Sequence, residues 1–161
     1  MKNLYLSSNI QDLLNKQNKF EPEMVLASLQ YWLSDHDQVR SPFPLHMKDK
    51  LPELATRQFI EWTNKLTPEA KKEINDEILV EKFEEILFSQ AQKFAENEEE
   101  KLTIQYPFLI RAGDVVIDKN EKSTVASRKI KQEGDHTFME VELVNEVSKT
   151  KWNTSFELHD Y

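Results

Sequence analysis

The stretch "DHTFMEVELV", residues 135–144, alternates between apolar and polar side chains, and this alternation predicts a β-strand. One face of the strand carries the apolar side chains Met139, Val141 and Leu143. The other face carries the polar side chains His136, Glu140 and Glu142. Because successive residues of a strand point to opposite sides, the apolar face is predicted to belong to the core.

The following segment, "KWNTSFELH" at residues 151–159, alternates in the same way, and "NEVSKT" at residues 145–150 supplies a turn between the two strands. A hairpin closed at this turn places two residues opposite each other when their numbers sum to about 295. The predicted pairs on the core face are Met139 with Phe156, Val141 with Thr154, and Leu143 with Trp152.

The polar face of this hairpin has two interpretations, a solvent-exposed strand surface or a metal site. A metal site would use His136, Glu140, Glu157 and His159, since imidazole and carboxylate groups bind zinc or divalent iron. Strand alternation alone accounts for every polar residue on this face, so we expect no metal and no cofactor. The apolar Phe138 on the same face would be covered by a loop or a second subunit, which adds a homodimer to the expected partners.

Upstream of residue 100 the apolar residues recur every three or four positions, which predicts helices. Four helices are expected: one after Ser8, one after Pro22, one opened by Pro52, and one from about residue 68 to about residue 96. From Leu102 onward the period changes to two, and strands are predicted near residues 102–111, 114–118, 123–132, 136–144 and 151–159.

These patterns predict an α+β fold in a single domain that spans residues 1–161. The N-terminal helices, about four in number at residues 8–96, are expected to pack on one face of a C-terminal sheet. The sheet is expected to be an antiparallel meander of about four to five strands at residues 102–159.

The chain is acidic, with a formal net charge of −8. Residues 1–100 account for most of this charge, because they hold 12 Lys and Arg against 19 Asp and Glu. A surface of this sign repels nucleic acid and anionic membranes, since binding to both depends on Lys and Arg. The same surface suits a basic protein partner.

Missing residue types exclude several classes of function. The chain has no cysteine, so it has no disulfide, thiolate metal site or cysteine nucleophile. Two glycines, Gly113 and Gly134, are too few for a P-loop or a dinucleotide-binding loop. The N-terminal segment lacks the continuous apolar core of a signal peptide, and the expected location is therefore the cytoplasm.

Two groups of residues are candidates for partner binding. The fourth predicted helix carries the acidic side chains Glu73, Glu77, Glu81, Glu84 and Glu85. The loop "SPFPL", residues 41–45, carries the apolar side chains Phe43 and Leu45, which would dock into an apolar groove of a partner or fold back on the helices. His36 and His46 flank this loop without the spacing of a helical metal motif.

The sequence favours a non-catalytic cytoplasmic module that binds a protein partner or regulates it through its acidic helical surface. The alternative is a small-ligand-binding protein or an enzyme. Its pocket would lie between the long helix and the curved sheet, as in cystatin-like cones. A roomy apolar pocket with convergent polar groups would favour this second function.

Overall fold

A computed structural model describes residues 8–15 and 22–159 of the chain. It divides the chain into two compact units, a helical unit at residues 1–107 and a sheet unit at residues 108–161. Among the described residues, six α-helices and a four-stranded antiparallel meander sheet confirm the predicted α+β class. The assignment of both units to one domain stays a prediction.

The helical unit consists of short and medium helices joined by tight connections. These are α1 (Ser8–Asn15), α2 (Pro22–Leu33), a 3-10 turn (Leu45–Met47), α3 (Leu51–Asn64), α4 (Pro68–Glu73), α5 (Asp76–Phe94) and α6 (Glu98–Gln105). Three of them have proline in the first turn, where a missing N–H costs nothing because that group has no partner inside a helix. No described helix combines the length and the apolar content that crossing a membrane would require.

The predicted helix over residues 68–96 is two helices, because the chain leaves helical geometry at Ile74. Asn75 has an extended backbone, and its side-chain oxygen accepts a hydrogen bond of 2.9 Å from the Ile78 N–H. An asparagine in this position caps the start of a new helix, and Asp76 and Glu77 then lie at the positive end of the helix dipole. The cap therefore overrides the helical propensity of the segment as a whole.

The predicted strand over residues 102–111 is wrong, since helix α6 occupies its first part. Asn97 caps this helix by accepting a hydrogen bond of 2.9 Å from the Glu100 N–H. Leu102 and Ile104 are both buried, and their spacing of two resembled strand alternation. Two apolar residues are too few to separate a strand from a short helix, and the asparagine cap with three following glutamates was the better signal.

The helical unit is built around a core of buried side chains to which every long helix contributes. Its members are Ile10, Leu14, Val25, Leu29, Trp32, Leu33, Phe43, Met47, Leu51, Ala55, Phe59, Phe83, Ile86, Leu87, Ala91 and Ile104. The contact between α3 and α5 centres on Phe59 and Phe83, whose rings meet edge to face at 5.4 Å. This packing fixes the orientation of α5 and therefore decides which of its side chains face the solvent.

The sheet unit contains β1 (Val115–Asp118), β2 (Glu121–Glu133), β3 (His136–Asn145) and β4 (Lys151–Leu158), in the order β1-β2-β3-β4. The register between β3 and β4 confirms all three predicted pairs: Met139 with Phe156, Val141 with Thr154, and Leu143 with Trp152. On β3 the apolar side chains of these pairs are buried. On β4 the same face is more open, because Trp152 and Phe156 are half-buried and Thr154 is exposed.

Candidate functional site

The negative charge of the chain is concentrated in the C-terminal part of the helical unit. Residues 69–100 hold 11 Asp and Glu against 4 Lys, a net charge of −7 in a chain whose total is −8. Part of this concentration has a local cause, because α5 and α6 both begin with acidic residues that interact favourably with the helix dipole. The acidic residues farther along α5 lie beyond the first turn and need another explanation.

Four glutamates of α5 form a continuous surface that we call the acidic ridge: Glu77, Glu81, Glu84 and Glu85. They are spaced three and four residues apart, so they lie next to one another on the side of α5 away from Phe83 and Leu87. Three of the four side chains are exposed, and Glu84 is half-buried. Glu73 is also exposed, but it is the last residue of α4 and does not belong to α5.

The acidic ridge has little local charge compensation. Lys82 lies 3.2 Å from the Glu85 carboxylate. Within the part of the chain that the structure describes, Glu77, Glu81 and Glu84 have no ion pair. Like charges three or four residues apart on a helix repel and cost about 0.2 to 0.5 kcal/mol per pair. Glu77 interacts favourably with the helix dipole, but repulsion among the glutamates beyond the first turn disfavours the isolated helix.

The acids at the start of α6 differ from the ridge because they have partners nearby. Lys101 lies 3.3 Å from Glu98, and His46 contacts Glu100. Glu100 also accepts a hydrogen bond of 3.2 Å from the Glu96 N–H, so this carboxylate helps to hold the turn before the helix. These contacts assign the α6 acids to local structure.

The structure separates the two predicted docking residues of the proline loop. Phe43 is 3% exposed, and its ring lies 5.1 Å from that of Phe88 inside the helical core. Leu45 is 82% exposed. The loop is held in place by Ser41, whose hydroxyl donates to the Trp32 carbonyl at 2.6 Å. Leu45 is therefore the residue of this loop that is accessible to a partner.

His46 lies between two carboxylates that no sequence pattern connected with it. Its Nε2 is 2.8 Å from Glu100 Oε1 and 3.0 Å from Oε2, and its Nδ1 is 3.8 Å from Glu96 Oε1. The hydrogen bond to Glu100, together with the charges of Glu100 and Glu96, raises the pKa of His46 above 6.5. A separation of 54 residues leaves no local pattern from which this contact could have been predicted.

Among the described residues, His46, Glu96 and Glu100 are the one group of three histidine and carboxylate side chains close enough to share a metal ion. The two ring nitrogens face different carboxylates, however, and one ion would reach only one of those nitrogens. The raised pKa of His46 favours an imidazolium that pairs with Glu100 and lies near Glu96. His36 is not part of this group, because its Nδ1 lies 3.1 Å from the Ser34 carbonyl and its ring contacts Tyr31.

The polar face of the sheet brings together some of the residues of the alternative metal site. His136 Nδ1 lies 2.5 Å from Glu157 Oε1, and this hydrogen bond, reinforced by the charges of His136 and His159, lowers the pKa of Glu157 below 4.5. Glu140 instead faces Lys129 of β2, at 3.5 Å. The contacts on this face are therefore a hydrogen bond and an ion pair between neighbouring strands, and the absence of a metal stays a prediction.

Each unit also has an open groove on its surface. In the helical unit a groove of about 280 Å³ lies between α3 and α5, where the Lys82 ammonium stands 5.5 Å above the Trp62 ring. In the sheet unit a groove of about 370 Å³ lies beside Trp152 and is lined by polar residues of the β1–β2 and β3–β4 turns. Both grooves are lined largely by polar and charged side chains, unlike the apolar pockets typical of small-ligand sites.

No family model, no curated protein and no solved structure matches this chain. Its function has to be inferred from the charge, exposure and contacts of its own residues.

Proposed function

We propose that the protein is a non-catalytic cytoplasmic binding module that recognises a basic segment of a protein partner through the acidic ridge of α5. The observation that carries this proposal is the row of four glutamates on α5, of which only Glu85 has an ion pair among the described residues, held on a helix whose other side is fixed in the core. A row of like charges costs folding energy in the free protein, and a cationic partner removes that cost.

The spacing of the ridge indicates the kind of partner segment that it fits. Glu77, Glu81 and Glu85 are four residues apart, so their positions repeat about every 6 Å along the helix axis. A basic helix with lysine or arginine at every fourth position has the same repeat. Two such helices lying side by side would place three charges opposite three charges over about two turns.

Electrostatic recognition of this kind raises the rate of association more than it raises the final affinity. The net charge of −7 over residues 69–100 produces a field that attracts a cationic segment before contact. Such steering is screened by salt, since the Debye length falls from about 10 Å at 0.1 M to about 3 Å at 1 M. Strong dependence on ionic strength is therefore the signature of the proposed function.

The proposal can be tested with a helix-forming peptide that carries lysine at every fourth position. Its affinity would be measured for the parent and for the triple variant Glu77→Gln, Glu81→Gln, Glu85→Gln, which removes the three charges whose spacing the peptide matches. We expect binding to weaken at least about tenfold, equivalent to about 1.4 kcal/mol, and the association rate of the parent to fall steeply between low salt and 1 M.

The matched control removes three negative charges elsewhere in the helical unit, with Glu23→Gln, Glu53→Gln and Glu98→Gln. Its affinity should stay within about twofold of the parent, since charges away from the contact act only through screened long-range attraction. The ridge variant should also unfold at the same urea concentration as the parent or a slightly higher one, because repulsion is relieved. Equal affinities of the ridge and control variants, or no binding by the parent at low salt, would overturn the proposal.

A further inference from the structure

Strand β4 forms one edge of the sheet, and its outer side is open. Among the described strands it pairs only with β3. Its central residues Asn153, Thr154 and Ser155 are all exposed, although they point alternately to the two faces of the sheet. Within the sheet unit, no other described strand pairs with this edge. Its outward backbone N–H and C=O groups are therefore available to another strand.

The two edges of the sheet differ in how they limit such pairing. The other edge strand, β1, has only four residues, and shortness is one way in which proteins protect an edge. Strand β4 has eight residues and no proline, and its one lysine lies at its first position. A long regular edge of this kind is protected less well than β1 and is suited to strand addition.

The sequence of β4, "KWNTSFEL", is complementary to itself when two copies run antiparallel. With Thr154 opposite Thr154 of a second copy, each other residue from Lys151 to Glu157 meets a suitable partner. The opposed pairs are Lys151 with Glu157, Trp152 with Phe156, and Asn153 with Ser155. Opposite charges and aromatic side chains in directly opposed positions are the pairs that stabilise antiparallel sheets.

We propose that β4 pairs with β4 of a second copy of this chain, antiparallel and centred on Thr154, so that two sheets join into one sheet of eight strands. The helical acidic ridge has no part in this contact, and the inference does not depend on the proposed function. Charge complementarity identifies a second β4 as the strand that pairs with this edge. The one cation and the one anion of β4 lie at equal distances from Thr154, so two antiparallel copies oppose them.

Geometry selects this register from the possible ones. A two-fold axis perpendicular to the sheet keeps each face on its own side, so only residues that share a face can oppose each other. Lys151 and Glu157 share the polar face with His136, whereas Trp152 and Phe156 share the face of the buried β3 residues. Moving the centre by one residue, to Asn153 or Ser155, removes the pair of opposite charges.

The neighbours of Glu157 are compatible with the contact. His136 approaches Oε1 of the carboxylate, and the second oxygen can accept a hydrogen bond from the lysine of the other copy. The lowered pKa of Glu157 keeps this group anionic at neutral pH, as an ion pair requires. On the other face, the half-buried Trp152 and Phe156 of both copies would form one aromatic row across the junction.

The test is a charge-exchange series followed by sedimentation equilibrium over a range of protein concentrations. Lys151→Glu places two acids opposite each other at both symmetry-related positions, and Glu157→Lys places two bases there. We expect each single variant to weaken dimerisation at least about tenfold and the double variant to return to within about threefold of the parent. Lys122→Glu, the same charge change on β2, is the control and should leave the dimer unchanged.

A second variant tests the backbone part of the contact. Ser155→Pro removes an outward N–H next to the centre of the edge, because the hydrogen-bonded pair Asn145–Thr150 and the strand register direct the N–H of Thr154 to β3 and that of Ser155 outward. Proline is tolerated on edge strands but does not donate to an added strand. We expect this variant to be monomeric with its circular dichroism retained. If it fails to fold, the charge series still decides. A parent that is monomeric up to about 0.1 mM, or a double variant as weak as the single variants, would overturn the inference.

Discussion

The helical unit and the sheet unit differ in the groups that they leave at the surface. In the helical unit every long helix buries one side in a common core, and the backbone N–H and C=O groups are satisfied within each helix. In the sheet unit Met139, Val141 and Leu143 are buried, but β1 and β4 are edges whose outward backbone groups have no strand partner among the described strands.

This difference means that the two units offer different chemistry to a partner. A helix presents only side chains, so recognition by α5 has to depend on the charges of the acidic ridge. A strand edge presents backbone hydrogen bonds, so recognition by β4 depends on register and on opposed side-chain pairs. The first contact is sensitive to salt and tolerant of small shifts, whereas the second is sensitive to a shift of one residue.

The largest expected effect distinguishes the closed helical core from the open edge of the sheet. Phe59 is fully buried and meets Phe83 edge to face, so Phe59→Ala should lower the free energy of unfolding by about 3 to 5 kcal/mol. Thr154→Ala, at an exposed position of β4, should change it by less than about 0.5 kcal/mol. Urea unfolding of both variants measures these differences, and an unchanged midpoint for Phe59→Ala would contradict the core assignment.

The same two units also differed in how well their sequences predicted them. The pairing of β3 with β4 followed from alternation and a single turn, both of which are local, and the observed partners of Met139, Val141 and Leu143 are the predicted ones. The predicted helix boundaries were wrong at Asn75 and Asn97, where one side-chain oxygen decides whether a new helix begins. Apolar periodicity carries no information on that choice: at Asn75 the helical spacing continues through Ile74 and Ile78, and around Asn97 residues 96–101 are all polar.

The second prediction concerns these two caps. Asn75→Ala and Asn97→Ala each remove the acceptor for one N–H at the start of a helix, and each should cost about 1 kcal/mol of stability. Asn64→Ala is the control, since Asn64 ends α3 and is exposed. Thermal and urea unfolding would measure the losses. If the Asn75 variant were as stable as the parent, the break between α4 and α5 would not depend on this cap.

The candidate site could be predicted only where its residues are close in sequence. The glutamates of the acidic ridge follow from helical spacing, which by itself places them on one surface of a helix. The burial of Phe43 and the exposure of Leu45 depend on the position of Phe88 in the folded chain, and the pairing of His46 with Glu100 joins two distant turns. Contacts of this kind arise from tertiary packing, to which a single sequence gives no access.

The smallest expected effect is on the pH dependence of stability, which has opposite signs for one residue in each unit. The pKa of His46 is raised in the folded protein, so its contribution to stability is fully present below about pH 6.5 and is lost as the pH rises through the folded value. The pKa of Glu157 is lowered, so its contribution is present above about pH 4.5 and is lost as the pH falls through the folded value.

Stability measured against pH for two variants separates these contributions. The difference in unfolding midpoint between the parent and His46→Gln should be largest in mild acid and should shrink above neutral pH, because the imidazole no longer carries the charge that pairs with Glu100. The difference for Glu157→Gln should behave in the opposite way and shrink below about pH 4.5, where the carboxylate becomes protonated. Both groups are on the surface, so salt should reduce both differences. A difference that stays constant from acid to alkaline pH would show that the side chain acts through packing and not through its charge.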